Sequence, residues 1–179
     1  MTAVHSGTRR EVLDCRQARD AGDLAVHHAV RHAVFVDEQH VFGVSDRDAR
    51  DDDRTCLHVL GLVDGVPAGT VRLYPLDPAD PAGDWQGDRL AVLPEYRRSG
   101  LGRPLVRFAV ATAAALGGRR MVARVQSPNL VFFRRLGWNQ LAEPAPYLGL
   151  PHVWMDIDLR SDVRSHPGGP ARLSAYAER

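Results

Sequence analysis

The sequence predicts an α/β fold in a single domain. Short β-rich runs alternate with segments of helical period, an Asp64-Gly65 dipeptide joins two of those runs, and an apolar strand at Asp88–Leu93 passes through a glycine turn into an alanine-rich helix. With 179 residues, 44% of them hydrophobic, the chain is long enough to bury a core of its own.

The first strand is expected at Arg10–Arg16, followed by an amphipathic helix over Gly22–Val36 in which Leu24, Val26, Val30, Ala33 and Val34 lie close to one stripe. Asp20 or Asp23 is placed to cap it. Asp37–Arg54 has no apolar period and reads as an acidic loop with room for a short helix. Leu57–Val63 and Val66–Leu76 form a hairpin, because Asp64-Gly65 tolerates the positive φ of a tight turn. Asp77–Gly87, rich in proline, glycine and acid, is expected as a surface loop before the strand Asp88–Leu93. A helix over Leu105–Leu116 ends at Gly117-Gly118, a strand follows at Met121–Gln126, and a short helix at Asn129–Leu136 stops at Gly137. After a Pro144–Pro151 loop, His152–Leu159 is the final strand, closing a domain of residues 1–159 and leaving a polar tail at 160–179.

Composition removes several classes of function. No run approaches the roughly 18 apolar residues of a membrane span, and Met1–Arg10 lacks the apolar core of a signal peptide, so a cytoplasmic protein is expected. Cys15 and Cys56 are too few for a disulfide framework and lack zinc-site spacing, so both are read as reduced and no metal is expected. All 23 basic residues are arginine, which excludes a P-loop and a lysine Schiff base.

The formal net charge of +1 conceals two blocks. Tyr96–Ala142 holds nine arginines and no acid, whereas Asp37–Asp53 sets seven acids against two arginines. The arginines have no exposed aromatics interleaved among them, so a nucleic-acid partner is not expected. The acidic block reads either as an exposed loop or as a wall attracting a cationic amine, such as a polyamine, an aminoglycoside or a peptide amine.

Leu90–Gly102 places strand, glycine turn and helix start in direct succession. A helix begins with unpaired N–H groups and a partial positive charge, and glycine lets those donors approach a phosphate closely. Gly100 and Gly102 supply that approach, with Arg97, Arg98 and Arg103 as the cations nearest to it. A dinucleotide site would need a further glycine near Leu105 and an acid about 20 residues on, and this stretch carries no acid.

Arg97-Arg98-Ser99-Gly100-Leu101-Gly102, after the strand Leu90–Val92, resembles the R/Q-x-x-G-x-G/A motif of the GNAT (GCN5-related) N-acetyltransferase superfamily. Phe132-Phe133-Arg134-Arg135-Leu136-Gly137-Trp138 is similar to the family's F-Y-x-x-L-G-F segment. Val34–Gln39, Pro151–Met155 and the Asp84–Leu90 run, with Val125, Gln126 and Asn129, resemble a bacterial branch that includes nitrogen-starvation-associated acetyltransferases. The resemblance implies a mixed sheet of six or seven strands with about four helices, splayed between the fourth and fifth strands. It implies acetyl-CoA as co-substrate, its pantetheine pairing with the backbone of Leu90, Ala91 and Val92 and its pyrophosphate on the amides of Arg98 to Gly102. It also implies direct attack by a small-molecule amine on the thioester, with Asn129 placed to hydrogen-bond the cofactor arm and a homodimer left open.

Candidate bases are Glu38, at the end of the substrate-side helix, Asp88, entering the splayed strand, and His152, facing the substrate pocket from the terminal strand. His58 lies on an apolar strand and reads as a core histidine. Phe133 stands where many relatives carry the tyrosine that protonates the leaving thiolate, and phenylalanine has no proton to donate. Water, Tyr147 or Ser127 then serves, or the domain is a non-catalytic acyl-CoA sensor. Arg31 with Val34-Phe35 also resembles the first helix of acyl-homoserine-lactone synthases, a class that usually lacks the glycine turn present here.

Overall fold

The computed structural model describes residues 10–162, so the expected polar tail lies outside the described residues from 163 onward. The chain begins with β1 (Leu13–Gln17) and α1 (Ala21–His32), whose cap is Asp20, accepting from the Asp23 amide at 2.8 Å. The expected continuation of that helix to Val36 is corrected: Ala33–Glu38 widens into a π-helical turn, with the Gln39 amide bonded to the Val34 carbonyl at 2.9 Å. Val34, Phe35 and Val36 are all buried in succession, which an α-helical stripe does not permit and a wider turn does. The acidic loop carries one 3-10 turn at Ala49–Asp52.

The hairpin forms as expected, β2 (Leu57–Val63) to β3 (Val66–Pro75), with Asp64 at φ +50° and Gly65 at φ +82°. The expected loop at Asp77–Gly87 is shorter than the sequence suggested, because β4 (Asp84–Val92) already starts at Asp84. Trp85 explains the difference: it is buried in the core, and Asp84–Gly87 is paired on both edges, with β3 and with β5 (Arg120–Gln126). Between β4 and β5, α2 (Gly102–Ala115) begins three residues earlier than its apolar period indicates. A 3-10 turn at Ser127–Asn129 leads into α3 (Leu130–Arg135). The expected Pro144–Pro151 loop instead contains β7 (Ala145–Tyr147), preceded by β6 (Asn139–Gln140) and followed by β8 (Leu150–Asp158) and α4 (Leu159–Asp162). Leu148 at φ +50° and Gly149 at φ +76° make the β7–β8 connection a second tight hairpin.

Among the described residues the sheet has eight strands rather than six or seven, in the order β1-β2-β3-β4-β5-β8-β6, with β7 also on β8. Every pairing is antiparallel except β4 with β5. Strand alternation sends Val59, Gly61, Val71 and Leu73 toward α2, and His58 and Arg72 toward α1 and the acidic loop. Gly61 and Gly69 lie opposite each other under α2, and a Cβ on either would stand about 3 Å from Leu105. Their missing side chains let the first turn of α2 seat low on the sheet, which sets the height of the glycine turn that precedes it.

Candidate functional site

β4 and β5 are parallel neighbours only from Asp84–Gly87 against Arg120–Ala123. Past Gly87 they part. β5 stays with β8 as far as Gln126 against His152, whereas β4 bulges: its register with β3 slips by one residue between Thr70 and Arg72, and Arg89 sits at φ +51°. The edge of β4 that β5 abandons is therefore left without a strand partner, and a cavity of about 330 Å³ opens in the gap. Its lining comes from both faces of the sheet. Val106, Ala109, Met121, Ala123 and Phe133 belong to the core beneath α2, while Gln39, Arg124, Gln126, His152 and Trp154 lie on the opposite side. The cleft thus passes through the sheet, with an apolar half and a polar half.

Of the candidate residues, the structure brings Asp88, Leu90, Asn129, Phe133 and His152 together on this lining. Ala91 is buried beside Val34 and Phe35, and Val92 continues the same strand toward the turn. Glu38 is not on the lining: its carboxylate receives the Arg97 guanidinium at 2.5 Å, and Arg97 also donates to the Val92 carbonyl at 3.2 Å. Asp88 faces the cleft with both oxygens taken by Arg72 at 2.7 Å, a bidentate pair that commits the carboxylate to the guanidinium. His152 is different. Its Nδ1 donates to the Leu150 carbonyl at 2.9 Å, which leaves Nε2 as an acceptor, and the ring packs edge-on to Tyr147 with centroids 5.3 Å apart.

The turn from Arg97 to Arg103 lies at the far end of β4, outside the cavity lining. Gly100 adopts φ +83°, and a Cβ there would point into open space. The Ser99 hydroxyl donates to the Tyr96 carbonyl at 2.7 Å and accepts from the Leu101 amide at 3.2 Å, so this side chain holds the turn in shape. α2 has no side-chain cap and no acid in its first turn, which leaves its N-terminal dipole open to an anion. Arg98 and Arg103 are exposed and hold no ion pair among the described residues. Phe133 is buried at the cleft, edge-on to Phe132 and Trp138. The Ser127 hydroxyl is buried without a hydrogen-bond partner among the described residues and is not on the cleft lining, whereas Tyr147 is.

The acidic block does not form an open wall. Arg31, wholly buried, donates to Asp46 at 2.6 Å and to Asp51 at 2.5 Å, while Arg72 reaches Asp48, Asp51 and Asp88, and Arg89 reaches Asp46 and Asp48. Burial pushes the Asp51 carboxyl up, but the Arg31 hydrogen bonds and the neighbouring guanidiniums outweigh it and hold the group well below the usual range. Asp37, Glu38, Asp52 and Asp53 each have a basic partner as well. This network locks the loop onto the sheet.

Sequence reasoning missed Arg124, Trp154, Gln39 and Trp138 as cleft residues. One signal was present: within the apolar β5 run, Arg124 and Gln126 make alternate positions polar, which marks one face of that strand as not belonging to a core.

The sequence profile of the Acetyltransferase (GNAT) family matches residues 21–138. A Bacillus subtilis protein named as a candidate acetyltransferase is 29% identical over 147 residues, covering 80% of this chain and 95% of its own length. Among solved structures, a candidate N-acetyltransferase from Lactobacillus plantarum superposes with TM-score 0.70 at 24% identity, over 83% of this chain and 99% of that one. The CoA-dependent acyl-homoserine lactone synthase BjaI, solved with SAM and isopentyl-CoA, superposes with TM-score 0.68 at 20% identity, over 89% of this chain and 92% of its own.

Proposed function

The chain belongs to the GNAT acetyltransferase family, and from that premise we propose that it transfers an acyl group, with acetyl-CoA as the donor, to a small amine. The observation that carries this reading is the cleft through the sheet where β4 and β5 part, in line with a glycine turn and an uncapped helix start. The pyrophosphate of the donor fits the Gly100 turn beside Arg98 and Arg103, and its pantetheine fits the unpaired edge of β4. The thioester then lies between Phe133 and the polar half of the cleft.

An ammonium of pKa about 10 is neutral in roughly one molecule per thousand at neutral pH, a penalty of about 4 kcal/mol that the site must offset. His152 is the base this geometry favours, since its tautomer is set by Leu150 and its Nε2 lone pair is free. Asp88 acts through Arg72 as part of the wall. Phe133 offers the leaving thiolate no proton, but a thiol of pKa about 8.5 departs near neutral pH with solvent or Tyr147 as the proton source. The test is release of free CoA thiol from acetyl-CoA on addition of amines. Amine-dependent release that falls at least about tenfold in His152→Ala supports the reading, and release without acyl-amine product overturns it.

Two other readings give different outcomes in the same assay. A non-catalytic sensor, which Phe133 favours, binds acetyl-CoA and releases no thiol with any amine. A lactone synthase, favoured by the fold likeness to BjaI, releases thiol with S-adenosylmethionine and yields a lactone.

A further inference from the structure

We infer that the acceptor carries a carboxylate close to its amine, and that Arg124 is the residue that holds it; this rests on the acyltransferase reading above. Arg124 projects from β5 onto the polar half of the cleft, half-buried, with its guanidinium carbon 3.9 Å from the centre of the Tyr147 ring and 4.5 Å from that of Trp154. Both rings lie within cation–π reach of the guanidinium, whose N–H donors make no hydrogen bond among the described residues and form the fork that matches a carboxylate in bidentate fashion.

No carboxylate among the described residues fills that fork. Arg124 has no ion pair or hydrogen bond among the described residues, whereas Arg31, Arg72 and Arg89 are each bound by two or more aspartates. The other charged residues on the lining, Asp88 and Arg89, are both held in ion pairs, the first with Arg72 and the second with Asp46 and Asp48. Among the described residues, Arg124 is thus the charged group on the lining that has no ion-pair partner. A partly desolvated cation without a counter-ion is costly to keep, and the aromatic pair that fixes its orientation makes it a prepared anion site.

Position supplies the rest. Arg124 lies opposite Trp154 and Gln126 opposite His152, so Arg124 and His152 are diagonal neighbours on one face, about 7–8 Å apart by ordinary sheet geometry. Tyr147 bridges them, touching both the guanidinium and the imidazole. A base for the amine and an anchor for the anion at that separation fit an amino acid, with the two groups a few bonds apart. A cavity of about 330 Å³, shared with the acyl end of the donor, keeps that acceptor small. A polyamine, which the acidic stretch of sequence suggested, would meet Arg124 with like charge.

The experiment compares matched acceptors with acetyl-CoA at saturation: glycine with glycinamide, phenylalanine with phenylalaninamide and phenethylamine, then glutamate, β-alanine and spermidine. The amides have the less basic amine, of pKa about 8, so intrinsic chemistry favours them and any preference for the acids must come from the carboxylate. We expect kcat/KM for at least one acid to exceed that of its amide by about 10- to 100-fold, the worth of a charge-assisted hydrogen bond. Arg124→Gln should collapse that ratio toward one through KM with kcat and acetyl-CoA affinity little changed, and Arg124→Lys should retain part of it.

Amides or spermidine acylated as well as the acids would overturn the inference while leaving the acyltransferase reading intact. So would weaker acetyl-CoA binding in Arg124→Gln, which would assign this arginine to the donor. If acetyl-CoA binds but no amine is acylated, the acyltransferase reading fails. The carboxylate site is then overturned too unless the acids, and not the amides, raise the melting temperature of the acetyl-CoA complex.

Discussion

Arginine plays opposite parts in two regions of this molecule. On the α1 face, Arg31, Arg72 and Arg89 are tied to Asp46, Asp48, Asp51 and Asp88, and both Arg31 and Asp51 are almost fully buried. Along the cleft and its approach, Arg98, Arg103 and Arg124 have no carboxylate at all among the described residues. The first group is closed on itself, and what it accomplishes is to pin an irregular acidic loop to the sheet. The second group leaves donors and charge directed at space that the protein does not fill. Charge density in the sequence is the same kind of signal in both places; the pairing in the fold is what separates the two groups.

The largest effect expected from this contrast lies in the closed network. Arg31→Leu leaves Asp46 and Asp51 buried with part of their compensation gone, and chemical denaturation should register a loss of about 3–5 kcal/mol. A loss below about 1 kcal/mol would mean that the cluster is solvated and that the contrast is misdrawn.

A second expectation concerns pH. His27, His28 and His58 pack edge-on to one another beside this network, with ring centroids 4.8 to 5.7 Å apart. Burial lowers all three, His27 to about 2 and His58 to about 4. Their folded-state values lie below the unfolded one, so the unfolded chain binds more protons between the two. Stability is therefore full above about pH 6.5 and declines as the pH falls toward 4. For wholly buried His27 the loss should be on the order of 2 kcal/mol by about pH 5. The window precedes the one in which Asp51, held low by its guanidiniums, is lost. Melting temperatures across that range measure it, and a flat profile from neutral pH to about 5 would contradict the burial of the cluster.

The smallest effect belongs to arginines outside both groups. Arg119 meets Asp80 at 3.7 Å with both side chains exposed, so Arg119→Ala should change stability by less than about 0.5 kcal/mol and leave acetyl-CoA affinity within about twofold. A larger loss of affinity would extend the ligand-binding group to the far end of α2.

What was legible in the sequence follows the same division. The hairpin at Asp64-Gly65 and the glycine turn at Gly100 rest on local features, positive φ and an uncapped helix start, whereas the parting of β4 from β5 was implied only by the family resemblance that the contiguous motifs carry. The early start of β4 escaped because Asp84–Gly87 has loop-like composition, and only tertiary burial of Trp85 makes it a strand. β7 escaped because Ala145–Tyr147 is three exposed residues long, paired only with β8. Of the candidates named from motif position, Leu90, Asn129, Phe133 and His152 line the cleft. Arg124 could not be singled out in the sequence: it is one of nine arginines in its block, and what sets it apart is the lack of an ion-pair partner among the described residues, which no single sequence displays. The acidic block misled for the converse reason, since its arginine partners Arg31, Arg72 and Arg89 lie outside it in the chain.

Calorimetric titration of acetyl-CoA into two glycine variants asks whether acyl-CoA enters the splay with its pyrophosphate on the Gly100 turn. Gly100 and Gly65 have nearly the same backbone, φ +83° and φ +82°, and a Cβ at either would meet nothing within 4 Å. Gly100→Val and Gly65→Val therefore carry a similar conformational penalty of about 1–2 kcal/mol, while only the first places a side chain where the phosphates are expected. We expect wild-type affinity in Gly65→Val and an affinity at least about tenfold weaker in Gly100→Val. Equal affinities in the two variants would contradict it.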